Sequence, residues 1–410
     1  MQAMAGHQRS VRQCLRTMRI LLYSSAARGT GQYVRSMKIA ELITSAVPDS
    51  ICRVLAGNSI VQRSLPKNTD VVALPQISKS LDGAYLVRTG GEHSFTSEPA
   101  SLSTAFATRR KIIDSTIVSY APDIFLVDSR PGGLAGELTE PLSQVSSSRC
   151  KSVLMQRDIV DAPHQTVRRW QDEGVYCLIQ SLYDSVVFFG EQSVFDALLE
   201  YRLQPYKAKV VHLGFLGSPG FDIANSTVPA HSSKRRVLVT VGGGFNGSEI
   251  IETVCGMLTE KMPLMGILAF AIVLGAHSPL THEIARPFQD AATDVEVVAY
   301  VSDLTSRIIE ADVVISMCGY NTLFELSEAE KKIVAVPRCH SGYEQSLRSR
   351  LMSCIYDGLW VIPVIPQDEL SPQRLEIALG DALEAPPPRV RIPMNGAANL
   401  IGHLAVLLGQ

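Results

Sequence analysis

Short runs of β-branched and aliphatic residues recur along the chain, and each is followed by a longer stretch in which apolar residues return with helical spacing. That alternation predicts doubly wound parallel sheets, because parallel strands are joined by crossover helices that cover both faces. In the N-terminal half the runs predict strands at 20–23, 51–55, 71–73, 124–127, 152–155, 185–189 and 210–213. Residues 217–236 then break the pattern with Gly, Pro, Ser and Asn and read as an interdomain linker. A second set follows at 237–241, 270–274, 295–299, 313–316, 333–336 and 361–364. The longest apolar run, 264–276, is interrupted by Gly266 and reads as core strand, since it is too short to span a bilayer. The expected organisation is an extension at 1–17, one Rossmann-like domain at 18–216, a second at 237–385, and a Pro-rich segment at 386–410 ending in a helix at 397–408. Two such domains facing each other across a cleft would make a composite site from the C-terminal ends of their strands.

Composition adds bounds. Of 410 residues, 46% are apolar, which is ample for two buried cores. Lys and Arg total 38 against 40 Asp and Glu, so charge gives no support to a nucleic-acid groove. The basic excess at Arg9, Arg12, Arg16 and Arg19 lacks the apolar core of a secretory signal, and residues 1–17 read as a translation-start artefact rather than a targeting piece. The eight cysteines form no Cys-x-x-Cys pair and no His stands at metal spacing, so a reduced cytoplasmic compartment is expected. Lack of a span leaves peripheral contact with a membrane surface open.

Two segments carry chemistry. In VLVTVGGGFNGSEI, residues 237–250, a strand-like run stops at Gly242, Gly243 and Gly244, and a helix should start near Ser248. Glycines there let the backbone approach a diphosphate, and the helix presents its positive end to the same anion. In ADVVISMCGYNTLFEL, residues 311–326, a strand ends in a turn at Gly319, and a helix is expected from about Thr322, with Glu325 placed to accept both hydroxyls of a ribose. In order, the two read as a nucleotide-sugar site. Each also has a plainer account: glycines follow strands in any αβ protein, and Thr322-x-x-Glu325 fits a capping box. No Gly-Lys-Ser/Thr follows the glycines, and the dinucleotide fingerprint is incomplete. On the N-terminal side, residues 19–36, 122–138 and 152–161 place Gly or polar residues just after a strand.

The GGG loop, CGYNTLFEL and VPRCHSGYEQ (336–345) resemble the C-terminal domain of the GT-B glycosyltransferases of family 28, which include the MurG-type N-acetylglucosaminyltransferases. The order Asp-Ser-Arg-Pro-Gly-Gly, Gln-Arg-Asp-Ile, Val-Thr-Val-Gly-Gly-Gly, Ser-Met-x-Gly-Tyr-Asn-Thr and Glu-Gln is similar to bacterial proteins described only as predicted glycosyltransferases. The resemblance spans about residues 18–380 and implies a nucleoside-diphosphate sugar, with UDP favoured, as co-substrate and no cofactor or metal. It places Gly243 and Gly244 along the diphosphate, the backbone at Tyr300 and Val301 against the base, Glu325 on the ribose, Gly319, Asn321 and Thr322 at the phosphates, and Glu344 with Gln345 on the donor sugar. For Glu344 and Gln345 a solvated helix start is the plainer account, and Tyr320 is either core or a wall of the site.

One departure stands out. Such sequences carry His just after the first glycine-rich turn, as Gly-x-Gly-His, where this chain has Gly29-Thr30-Gly31-Gln32. Gln32 donates hydrogen bonds but cannot take a proton at neutral pH. The acceptor hydroxyl needs a base, and Asp158 and then Asp128, each just beyond a predicted strand, are the best substitutes, a loop-capping aspartate being the plainer account of each. Arg157, Arg130 and Arg35 would suit an anionic acceptor such as a lipid diphosphate. No Asp-x-Asp motif is present. The expectation is an inverting glycosyltransferase acting on a sugar, lipid-linked or small-molecule acceptor. The alternatives are a sugar-nucleotide 2-epimerase and a non-catalytic nucleotide-sugar-binding partner of another transferase.

Overall fold

The computed structural model describes residues 18–25, 31–57, 65–80, 84–89, 94–218, 234–280, 282–285, 294–301, 304–339, 342–390 and 392–409. The extension at 1–17, Gly29 and most of the predicted linker lie outside them. The chain divides into one unit of residues 1–219 with 394–410, and a second of residues 220–393.

The first unit is built on a parallel sheet of β1 (Arg19–Ser24), β2 (Ile51–Ala56), β3 (Thr69–Ala73), β7 (Ile124–Asp128), β8 (Lys151–Arg157), β9 (Ser185–Phe189) and β10 (Val210–His212). Their order is β10-β9-β8-β7-β1-β2-β3. β7 and β9 are buried along their whole length, as parallel strands covered on both faces must be. The crossovers are helices α1 (Gly31–Ala46), α2 (Pro99–Tyr120), α3 (Thr139–Ser146), α4 (Pro163–Asp172), α5 (Val175–Leu182) and the short α6 (Ala197–Glu200). A small antiparallel sheet of β4 (Ile77–Lys79), β5 (Tyr85–Arg88) and β6 (Phe95–Thr96) precedes α2 and was not expected. Its strands are too short to carry a period, and it is held by a satellite core of Ile77, Val87, Ala105 and Leu134.

A buried polar knot fastens α2 to this unit. Arg109 makes two hydrogen bonds of 2.7 Å to the Glu137 carboxylate and donates from Nη1 to the Pro75 carbonyl at 2.8 Å. Tyr23 donates to the same carboxylate and accepts from the Leu134 N–H at 3.2 Å. Burial, with the Glu137 charge, pushes the Tyr23 phenol far up, so it remains a donor.

The second unit holds β11 (Arg235–Thr240), β12 (Leu268–Val273), β13 (Val295–Val298), β14 (Val313–Ser316) and β15 (Lys332–Ala335), parallel throughout in the order β13-β12-β11-β14-β15. Its helices are α7 (Ser248–Thr259), α8 (Leu304–Glu310), α9 (Tyr320–Glu328), α10 (Glu344–Ile355) and α11 (Pro372–Glu384). The strand predicted at 361–364 does not form: only Val364 bridges Ala335. Pro363 and Pro366 cannot donate to a ladder, so pairing stops at one bridge. The run 264–276 yields β12 only from Leu268, since a 3₁₀ turn, Pro263–Ile267, takes up its start. The final helix, α12 (Gly396–Leu407), returns to the first unit, where the Asn399 amide donates to the Leu213 carbonyl at 2.8 Å and His403 Nε2 lies 2.8 Å from Ser185 Oγ.

Candidate functional site

In the second sheet the chain leaves β11 for β12 on one side and later returns to β14 on the other, so the switch point lies between β11 and β14. Loops at such a point diverge and leave a crevice at the strand C-termini. Both segments singled out in the sequence sit there.

After β11, Gly242 is exposed and turns through φ +64°, with no atom within 4 Å of where a Cβ would stand. Gly244 is different. A Cβ on it would lie 2.7 Å from the Leu274 carbonyl oxygen and from Ser278 N, and a Cβ on Gly275 would lie 2.5 Å from Gly244 N. Only glycines at both positions, with φ of +84° and +90°, let the two loops meet backbone to backbone. His277 N–H donates to the Gly243 carbonyl at 2.9 Å and completes the join. Gly244 thus serves the packing of the loop, and Gly242 is its open glycine. Helix α7 then starts at Ser248 as expected, with Gly247 as its N-cap.

After β14, buried Cys318 adopts a left-handed φ of +54°, with its N–H donating to Ser316 Oγ at 3.1 Å. A left-handed non-glycine residue is a strained choice, and such residues concentrate at functional turns. Burial pushes its thiol up to about 12, so it is no thiolate nucleophile at neutral pH. Helix α9 starts at Tyr320 with Gly319 as N-cap, two residues earlier than the sequence suggested, and no side chain caps it. Thr322 is therefore inside the helix, and the capping box with Glu325 is ruled out. Asn321 and Thr322 lie half-buried in the first turn and Glu325 half-buried in the next. Tyr320 is core: it is buried, with the Arg348 guanidinium 5.7 Å from its ring centroid.

Glu344 and Gln345 open helix α10 and are 2% and 6% exposed, so the solvated helix start is also ruled out. Glu344 pairs with the Arg338 guanidinium, and Gln345 Oε1 accepts the Arg338 N–H at 3.2 Å. Gln345 Nε2 stands 3.8 Å from the Cβ position of Gly319, which brings the start of α10 against the turn before α9. Beyond β13, Tyr300 is 40% exposed and Val301 half-buried. Gly275, His277, Arg338 and Arg348 were missed by the sequence reading. A lone glycine directly after the strand predicted at 270–274 gave some signal; the arginines gave none.

In the first unit the switch point falls between β1 and β7. Gly31 is the exposed first residue of α1, and the half-buried Gln32 accepts from Ser25 Oγ at 2.8 Å. Asp128 ends β7 fully buried in an ion pair with buried Arg35, and Ser129 Oγ lies 2.9 Å from its Oδ1. Its Oδ2 has no hydrogen-bond partner. Asp158 follows β8, is 4% exposed, and its Oδ1 accepts the Ile159 N–H at 2.7 Å. Gly190 packs against it, a Cβ there falling 2.8 Å from Asp158 Cβ. Arg157 donates to the Val160 carbonyl at 3.2 Å, and Arg130 is half-buried. Among the described residues no group of three or more His, Cys, Asp or Glu is placed to hold a metal, and no helix is long and apolar enough to cross a membrane.

Residues 236–387, which contain both switch-point loops of the second unit and the start of α10, match the family model of the Glycosyltransferase family 28 C-terminal domain. This part of the chain is similar to that domain. The chain is 28% identical over 163 residues to the UDP-N-acetylglucosamine--N-acetylmuramyl-(pentapeptide) pyrophosphoryl-undecaprenol N-acetylglucosamine transferase of Agrobacterium fabrum, a match over 38% of this chain and 41% of that one. The chain spans about half the length, or less, of the curated relatives it matches. In fold it is similar to the calicheamicin glycosyltransferase CalG4, with a TM-score of 0.59 and 14% identity over 97% of this chain and 99% of that one. It is also similar to a UDP-N-acetylglucosamine 2-epimerase structure from Listeria monocytogenes, with a TM-score of 0.58 and 11% identity over 95% and 96%. With its two parallel αβ units, the chain has the two Rossmann-like halves of the GT-B fold.

Proposed function

We propose that this protein is a glycosyltransferase that moves a sugar from a nucleoside-diphosphate sugar to an acceptor hydroxyl. The observation that carries the reading is the family 28 domain with its two matched loops at one switch point: the join around Gly242–Gly244, and the Cys318–Gly319 turn that opens α9. The exposed backbone at Gly242, the half-buried Gly243 beside it and the N-terminal ends of α7 and α9 supply donors for a departing diphosphate, which needs neither cofactor nor metal. Glu325 takes the ribose diol, and the backbone at Tyr300 and Val301 meets the base. Glu344 and Gln345, fixed by Arg338, present the donor sugar with a preset surface. UDP sugars of hexosyl or N-acetylhexosaminyl type are the favoured donors. The named substrates of the curated relatives favour a lipid-linked acceptor, reached from the cytoplasmic side by peripheral membrane contact, over a free sugar or small molecule.

Fold likeness extends to an epimerase, so fold alone does not choose between transfer and epimerisation; the family 28 domain favours transfer. Incubation of UDP-N-acetylglucosamine with the protein in deuterated water separates them, because an epimerase exchanges the C2 proton and a transferase does not. The donor site itself is tested by calorimetric titration of UDP, without added metal, into the wild type and Glu325→Ala. Loss of a charged hydrogen-bonding group should weaken binding by about 1–3 kcal/mol. Unchanged affinity in Glu325→Ala would remove Glu325 from the site, and no binding to the wild type would remove the reading. Binding without donor hydrolysis or transfer, across acceptors, would instead mark a non-catalytic binding partner.

A further inference from the structure

Phe245 directly follows the glycine loop of the second unit and is 45% exposed, a large apolar ring held partly in water. One face is covered: it stacks on the His277 imidazole, with centroids 4.3 Å apart and 30° between the planes. His277 is itself held by the main chain, since its N–H donates to the Gly243 carbonyl at 2.9 Å. The backbone contact of Gly244 with Gly275 leaves the two loops no room to slide past each other. The His277 Nε2 atom is buried without a hydrogen-bond partner, and burial lowers the affinity of the ring for a proton, so it backs Phe245 as a neutral aromatic. The pair is a braced stack with an open side. It stands three residues after Gly242, around whose Cβ position no atom lies within 4 Å, and no other described role accounts for an exposed phenyl ring there.

We infer that the open side of Phe245 is a stacking platform for a ring of the nucleotide-sugar donor, and that Phe245 is a specificity-determining residue of the donor site. The inference rests on the donor-site reading above. Its ligand has a flat or weakly polar ring face, the shared chemistry of a nucleobase and of the C–H face of a pyranose, either of which packs well on an aromatic ring. A ring braced in place before binding loses little entropy when the ligand arrives, which is why a backed stack is more useful than a mobile side chain. His277 contributes the backing through its own packing and makes no contact with the ligand in this scheme.

The test is calorimetric titration of UDP, UDP-glucose and UDP-N-acetylglucosamine into wild type, Phe245→Ala and Phe245→Tyr, with Glu325→Ala alongside and thermal melts of each. Phe245→Ala should melt with the wild type, because its ring is largely outside the core, and should bind about tenfold more weakly, the change that ~1.4 kcal/mol of stacking represents. Phe245→Tyr should bind as the wild type does. An equal loss for UDP and for the UDP sugars assigns the platform to the base; a loss confined to the UDP sugars assigns it to the pyranose. If Phe245→Ala binds all three ligands like the wild type while Glu325→Ala weakens them, the platform is refuted and the donor site stands. If the wild type binds none of them, the donor reading falls and the platform with it.

Discussion

The glycine loop offers a pair of substitutions that separate packing from ligand contact. Gly275→Ala places a methyl group 2.5 Å from Gly244 N and 2.6 Å from the Gly242 carbonyl oxygen, both main-chain atoms that cannot rotate away. Relief requires the two loops to part by about 1 Å, which breaks the His277 N–H bond to Gly243, in addition to about 1–2 kcal/mol for a left-handed alanine. The sum is about 3–5 kcal/mol, and at ~2–4 °C per kcal/mol for a unit of this size the second unit should melt roughly 6–20 °C lower. Gly242→Ala carries only the left-handed cost, since nothing lies within 4 Å of the added carbon. It should melt within a few degrees of the wild type yet lose UDP affinity, because the methyl group occupies the space through which a diphosphate reaches the loop. Scanning calorimetry with and without UDP reads both effects. If Gly275→Ala melts with the wild type, the close approach does not exist in solution. If Gly242→Ala binds UDP normally, the open glycine does not face the diphosphate.

Three further outcomes follow from buried charge and the first unit. Glu137→Gln leaves the Arg109 guanidinium buried beside a neutral partner and should cost about 3–5 kcal/mol by denaturant titration, whereas the double replacement Arg109→Met with Glu137→Leu should recover most of it. Burial lowers the proton affinity of His212, His277 and His403, so the unfolded chain, at about 6.5, binds protons more readily than the fold. Stability should therefore be full above pH 6.5 and fall as the pH drops through the lower folded values, seen as a decreasing Tm between pH 7.5 and 5; a flat profile would refute it. Gln32→His restores an imidazole in the first turn of α1, and on the transferase reading it should raise turnover with little change in donor affinity, measured as kcat against KM.

Most strands were legible because parallel strands buried on both faces read as continuous apolar runs, as in Phe125–Leu126–Val127 and Val186–Val187–Phe188. The same rule misled at 361–364, where Val-Ile-Pro-Val looks like a strand until Pro363 is counted as a missing donor. The antiparallel sheet of β4, β5 and β6 was invisible because two to four residues hold no period. At the site, chain position was legible and partnership was not. Sequence placed Glu344 and Gln345 at a helix start, where polar residues are ordinary. Their burial depends on Arg338, which reaches them across the loop after β15. Gly275 and Gly244 each look like a routine turn residue, and only their mutual approach explains why both are glycine. The capping-box reading of Glu325 failed for a local reason: α9 starts two residues early, so Thr322 is already the third residue of the helix and Gly319 holds the N-cap position.

The proton acceptor is the part of the transfer reading on which the first unit bears most directly. Gln32 has no basic lone pair at neutral pH, so a carboxylate must serve. Asp128 is held in a buried ion pair with Arg35, 2% exposed, so its carboxylate is engaged before any acceptor arrives. An acceptor that brings its own anion, such as a lipid diphosphate, gives Arg35 a new partner and releases Asp128 to act as base. The prediction is that transfer favours anionic over neutral acceptors, that Asp128→Asn abolishes it with donor binding intact, and that Arg35→Gln erases the preference by raising rates on neutral acceptors relative to anionic ones. Radiolabel transfer to matched phosphorylated and dephosphorylated acceptors measures all three. If Arg35→Gln leaves the preference unchanged and Asp128→Asn remains active, the buried pair is structural. The base is then Asp158, whose carboxylate stands just beyond β8 on the neighbouring loop.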